Sequence, residues 1–297
     1  MKQSLFILIA IILGIIFPQG HKITFLIQYT LMIMLFFAFL GTRVNWNIFY
    51  RSHLIIGAFN ILLPLIFYFL LLPLGKLIAL TAFVCGIPPT AAAAPVLAQF
   101  MRTNVSYVTA SVIITNPLVA LCIPLTLPLL MPVDQPISVL DVLLPVFKVV
   151  GIPLLLASVF KLSSSKLTAQ LLKGRMIAFY LFIFNVWMGC GNATNFLSTN
   201  SDIEKIFLVQ VIFLTAIICV ASFKLRAILV AKENRLAGSL ALGRKNTMFG
   251  LWIALTFVNP LVALGPISYI IMQNAYNSYQ IMIVEKKEKQ LNSALQK

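Results

Sequence analysis

The chain is a succession of apolar runs joined by short polar connections. Ten runs read as membrane-spanning helices: Leu5 to Phe17, Ile23 to Leu40, Leu54 to Leu74, Leu77 to Phe100, Val105 to Leu130, Val139 to Phe160, Met176 to Phe196, Ile206 to Phe223, Leu240 to Val258 and Leu261 to Val284. A span needs about 20 apolar residues, and fewer where flanking side chains reach out to water. The pattern predicts an all-α polytopic membrane protein with ten transmembrane helices. Two of the runs are interrupted. Cys85-Gly86-Ile87-Pro88-Pro89-Thr90 breaks the fourth, and Gly243-Arg244-Lys245-Asn246-Thr247 breaks the ninth. In a bilayer a broken helix leaves N–H and C=O groups unpaired, at several kcal/mol each. Such breaks persist only where protein or a water-filled cavity satisfies those groups. A pair of breaks in corresponding halves of a chain points to a transporter binding site.

Composition agrees with the pattern. The 297 residues are 61% hydrophobic and 10% charged, with a mean hydropathy of +1.00. A soluble protein of this size needs far more charge on its surface, so a single membrane domain over residues 1–297 is expected, with the lipid bilayer as its surroundings. A net charge of +15 could suggest nucleic acid. The cations, however, sit in short loops and form no basic face with interleaved aromatics, which argues for no nucleic-acid partner. If the N-terminus is cytoplasmic, the outside loops hold only Lys22, Lys76 and Lys205, while Lys148, Arg244 and Lys245 fall within spans. Every other lysine and arginine falls inside, as the positive-inside rule requires, and both termini are then cytoplasmic. Asp134 and Asp202 fall outside. Met1-Lys2 precedes an apolar stretch with no small-residue cleavage pattern after it, so this stretch reads as the first span. Cys85, Cys122, Cys190 and Cys219 are scattered through apolar runs, which indicates neither a disulfide framework nor a metal site.

Ten spans divide as five and five. An odd number per half makes the second half enter with opposite orientation, so inverted repeats are expected over residues 1–131 and 137–284. In each half the fourth segment is the broken one, and the fifth follows a tight turn, Arg102-Thr103-Asn104 or Asn259-Pro260. The polar stretch Met131 to Pro136 reads as the linker. Residues 285–297 read as a charged cytoplasmic tail.

Three short motifs carry a resemblance. Phe39-Leu40-Gly41-Thr42-Arg43-Val44-Asn45 leads into the first cytoplasmic loop. Arg102-Thr103-Asn104-Val105-Ser106 is followed by Thr109, Ser111, Thr115 and Pro117. Gly243-Arg244-Lys245-Asn246-Thr247 is followed by Ala254-Leu255 and Pro266. In these motifs and in layout the chain resembles the bile acid/sodium symporter family, in particular its small bacterial ten-span members. The resemblance covers most of the chain in layout and is specific only at those motifs. It implies a core of spans three to five and eight to ten moving against a panel of the others, in the inner membrane. The broken helices would cross near mid-membrane and hold an organic anion beside sodium ions, with no other cofactor. The chain departs from the family at the sodium ligands. The family's Glu before the Gly is Ala241, its Gln after the Gly is Lys245, and its Ser-Asn pair aligns with Ala94-Pro95. Sodium needs oxygen donors, which these side chains do not offer. Lys245 either replaces the ion as a built-in cation or takes and releases a proton.

The candidate substrate- or ion-binding residues are Pro88, Pro89, Thr90, Pro95, Thr109, Ser111, Thr115, Asn116, Lys148, Arg244, Lys245, Asn246, Thr247 and Gln273. Pro88 to Thr90 end one half-helix and start the next, whose free N–H groups suit an anion. Pro95 enters only through the resemblance. A span starting near Leu240 puts Lys245 roughly 8 Å deep, so Lys245 and Arg244 either snorkel to the surface or face a cavity. Lys148 lies about 14 Å from the outer end of its span. It faces either the crevice between domains or a carbonyl of a broken helix. Asp141, two turns earlier, is too far for a direct helical pair. Thr109, Ser111, Thr115, Asn116, Asn246, Thr247, Gln273 and Asn274 line the same cavity or bond their own backbone. Asn60, Asn185, Asn192 and Asn195 read as interhelical hydrogen-bonding residues. His21 and His53 read as loop residues.

These features point to a secondary transporter of a small or amphipathic organic anion, working by alternating access. The alternative is a sodium-independent carrier, proton-coupled or a uniporter, in which Lys245 stands in for sodium. A channel-like or non-transporting protein is the remaining class. An intramembrane enzyme is not expected: it would need clustered acids, histidines or an activated nucleophile, and the seven acids and two histidines fall mostly in loops and the tail.

Overall fold

The computed structural model describes residues 2–42, 49–133, 135–199 and 205–295. Arg43, Val44 and Asn45 of the first motif, and Asp134 and Asp202, lie outside the described residues. Among the described residues the chain is helical and carries no strand. The first five helices are α1 (Lys2–Ile16), α2 (Leu26–Gly41), α3 (Arg51–Leu71), α4 (Lys76–Gly86) and α5 (Ala94–Phe100). Next come α6 (Val105–Leu130), α7 (Val139–Val146), α8 (Ile152–Ser163), α9 (Ser165–Lys173) and α10 (Met176–Thr199). The chain ends with α11 (Lys205–Lys224), α12 (Arg226–Leu229), α13 (Arg235–Gly243), α14 (Thr247–Ile253) and α15 (Leu264–Leu295). A π-helical turn, Phe147–Gly151, joins α7 to α8, and a second, Ala254–Val258, extends α14.

Five stretches are helical, long and apolar enough to cross a membrane: Arg51–Leu74, Val105–Leu130, Val139–Ser163, Met176–Thr199 and Ile206–Lys224. Shorter apolar helices occupy Leu5–Ile16, Leu26–Gly41, Lys76–Gly86 and Thr247–Val258. The fold is compatible with a membrane protein. α15 runs on to Leu295, so the charged residues after Glu285 continue its axis.

Several expected boundaries move. α3 starts at Arg51 because Tyr50 and His53 form a reciprocal cap, with Tyr50 N donating to His53 Nδ1 at 2.8 Å. His53 is therefore a buried helical residue whose Nε2 meets the Tyr107 carbonyl at 3.0 Å, and not a loop histidine. The ninth apolar run starts at Arg235 and not at Leu240, since Arg235 to Gly243 forms a complete half-helix.

The packing falls into two apolar clusters. One gathers residues of α1 to α4, α6 to α8, α10, α14 and α15, and the other residues of α3 to α6, α11, α13 and α15. α1 packs on α10, and α2 packs on α8 and α10. α3 packs on α4 and α6, while α11 packs on α13 and α15. α4 meets α11 and α15, and α13 meets α3 and α6.

Candidate functional site

The two breaks meet. Thr90 and Lys245 lie opposite each other as an antiparallel bridge between extended segments. Ala91 N donates to Arg244 O at 2.7 Å, and Asn246 N donates to Pro89 O at 2.8 Å. Each break thus supplies the backbone partners that the other has lost, which is how a broken helix persists without water. The prolines explain the shape. Pro89 has no N–H to donate and disfavours helical geometry at Pro88 before it, so α4 cannot continue. The break is longer than the sequence suggests. The second half-helix begins at Ala94, and Pro95 sits at its start, where a proline is tolerated. At the other break Asn246 caps α14, accepting from Phe249 N at 3.4 Å, and Thr247 opens the helix.

Side chains from α6 and α15 complete the crossing in matching ways. Thr90 N donates to Thr115 Oγ1 at 3.0 Å, and Asn116 Nδ2 donates to Thr90 O at 3.2 Å. On the other side Lys245 N donates to Gln273 Oε1 at 3.1 Å, and Arg244 Nη1 donates to Asn274 Oδ1 at 2.8 Å. Thr90 Oγ1 reaches across to Ala241 O at 2.6 Å, and Tyr269 caps α13 by donating to Gly243 O at 2.9 Å.

Lys245 is the central charge. It is 2% exposed, and its Nζ donates to Asn60 Oδ1 at 2.5 Å. Asn60 Nδ2 in turn donates to Ile87 O and Pro88 O, at 3.0 and 3.3 Å. These carbonyls follow directly on α4, at the negative end of its dipole, where a cation is favoured. No Asp or Glu is among the buried side chains of the described residues. Because α13 starts at Arg235, Lys245 is about 15 Å along the axis from the start of that half-helix, at 1.5 Å per residue. Its bond to Asn60 points it into the protein, so it does not snorkel.

Other candidates lie apart from the crossing. Thr109 and Ser111 donate to Val105 O and Tyr107 O in their own helix, at 2.9 and 3.1 Å. Lys148 is exposed on the π-helical turn and belongs to neither break. Asp141 caps α7, its Oδ2 accepting from Ser138 N at 2.9 Å.

A cavity of about 290 Å³ opens between α1 and α15, lined by Ile7, Leu8, Ile11, Ile271, Asn274, Ala275 and Ser278. Asn274 therefore lines this cavity and also holds Arg244. Asn60 is the residue that the sequence reading placed outside the site. Its only signal was an amide in an apolar run, shared with many packing residues.

Sodium, the ion that the resemblance implies, does not fit the crossing. The position of one oxygen ligand is Ala241, and the Lys245 cation already takes the Asn60 oxygen. No group of three or more His, Cys, Asp or Glu is placed to hold a metal among the described residues. No protein-family profile matches the chain, and no curated protein matches it.

Proposed function

We propose that this protein is a secondary transporter of an organic anion, bile-acid-like or a small carboxylate, that works by alternating access without sodium. The carrying observation is the buried, acid-free lysine at the crossing of two broken helices. A cation in that position, with no carboxylate near it, calls for an anionic ligand at some stage of a cycle. In this reading ten spans form two inverted repeats, with α1, α2, α7, α8 and α10 as the panel and the remaining membrane helices as the core. The matched packing supports this. Exchanging the first five spans for the second five turns the α1–α10 contact into α2–α8, and α3–α4 into α11–α13. The cavity between α1 and α15 lies on the boundary between panel and core.

Lys245 takes the place of a coupling cation. Held between Asn60 and the carbonyl end of α4, it supplies a fixed positive charge where a symporter would recruit an ion. Solute movement is then uniport. Counterflow in proteoliposomes tests the reading, using a labelled bile acid, a monocarboxylate and a dicarboxylate as probes. The expected result is saturable counterflow of at least one probe, reduced at least tenfold in Lys245→Ala with folding retained. No saturable counterflow of any anion, or full activity in Lys245→Ala, would remove the proposal.

A further inference from the structure

Below the crossing, the wall formed by α11, α13 and α15 holds a second polar group. Arg244 Nε, both amide atoms of Asn277 and Oε1 of Gln280 are buried without a hydrogen-bond partner. Buried polar atoms are almost always paired, so several together need a common cause. Their neighbours in the sequence link the same two helices, α13 and α15. Two hydrogen-bonded rungs tie α13 to α15. The upper is Arg244 Nη1 to Asn274 Oδ1 at 2.8 Å, and the lower is Gln280 Nε2 to Ser239 Oγ at 2.9 Å. Ser239 Oγ donates in turn to Phe223 O on α11 at 3.0 Å. Asn277 lies midway, three residues from Asn274 and three from Gln280, on the same helical face. It is 3% exposed. The Phe223 and Tyr276 rings, stacked at 4.4 Å, pack α11 against α15 beside it.

The chemistry of these atoms selects a ligand. Arg244 brings a positive charge, and among the described residues no acidic side chain is buried. Its free Nε–H and the unpaired Asn277 amide are buried donors on this stretch of α13 and α15, which suits an anion. The acceptors, Asn277 Oδ1 and Gln280 Oε1, suit the hydrogens of a water carried with the anion. We propose that Arg244, Asn277 and Gln280 form a buried site for a small monovalent anion and its water. The site adjoins the crossing through Arg244 and does not include Lys245. Asn274, shared between the upper rung and the cavity beside α1, marks the side from which an ion enters. The inference stands whether or not the protein carries organic anions.

The test is thermal unfolding of the purified full chain in detergent, with sodium chloride, gluconate or sulfate at equal ionic strength. Chloride is the probe. A ligand that binds only the folded state raises Tm by mass action. We expect chloride to raise Tm by about 3 °C or more over gluconate, and sulfate to have no such effect. Asn277→Leu, close in shape, should abolish the difference while keeping its Tm in gluconate. Gln280→Leu should weaken the difference and serves as the second variant. Equal Tm in all three salts would overturn the proposal. So would a chloride effect that survives both substitutions. An organic anion that stabilises the protein should add to chloride; competition between the two would merge the sites and also overturn it.

Discussion

At the residue scale the account turns on Lys245 and Asn60. A buried ammonium is costly unless something answers its charge. Here the answer is an amide oxygen, with two helix-end carbonyls behind it. Removing Asn60 leaves the cation and those carbonyls unpaired. Asn60→Leu is therefore expected to cost about 3 kcal/mol of stability, read as a loss of several degrees in Tm. Adding Lys245→Met should recover at least half of that loss, because the charge that needed an answer is gone. Additive losses in the double variant would show that the two side chains do not act together. The sequence marked Lys245 plainly, as a cation inside an apolar run. It could not mark Asn60, which lies 185 residues away and meets Lys245 only through the fold. Asn277 and Gln280 carried no signal of their own in the sequence, and the fold buries them.

At the element scale the two breaks are held by close approach as well as by hydrogen bonds. Gly250 in α14 faces the first break, and a Cβ there would come within 2.9 Å of Pro88 Cγ and 3.1 Å of Val84 O. At Gly243, where α13 ends, a Cβ would meet the Phe223 ring at 2.3 Å. Gly243→Ala is expected to lower stability by about 1–3 kcal/mol, the usual cost of overpacking. Phe223→Leu should relieve part of that cost, and a melting experiment on the single and double variants checks both. Both breaks were legible in sequence, because proline, glycine and charge in the middle of an apolar run have few other readings. Their lengths were not. The first extends to Ala93 because Ala91 is used to reach Arg244 O, and a turn closed by Ala94 N on Ala91 O follows before α5 starts. The misplaced start of α13 came from the charged stretch at 232–235, which resembles a loop until Arg235 opens a helix. Lys148 had a clear signal and a different fate, since the π-helical turn between Pro145 and Pro153 leaves it exposed.

At the scale of the whole molecule, inverted repeats require Ser138 and Ser165 to lie on opposite sides of the membrane, since a single span, α7 to α8, separates them. Ser138→Cys is expected to react with a membrane-impermeant maleimide from outside intact cells, and Ser165→Cys only after lysis. Equal labelling from one side would contradict the topology. Three of the native cysteines are buried and the fourth is partly buried, so background labelling should be low. The helical membrane character was legible from hydropathy alone. The pairing of helices across the two halves was not, because contacts such as α1 with α10 join segments far apart in sequence. The central claim joins all three scales: a fixed lysine serves where a symporter would need sodium. The most direct measurement is initial uptake of the anion found by counterflow, in proteoliposomes, with sodium replaced by choline on both sides. The account predicts an unchanged rate. A rate that falls to background in choline, and returns with sodium, would contradict it.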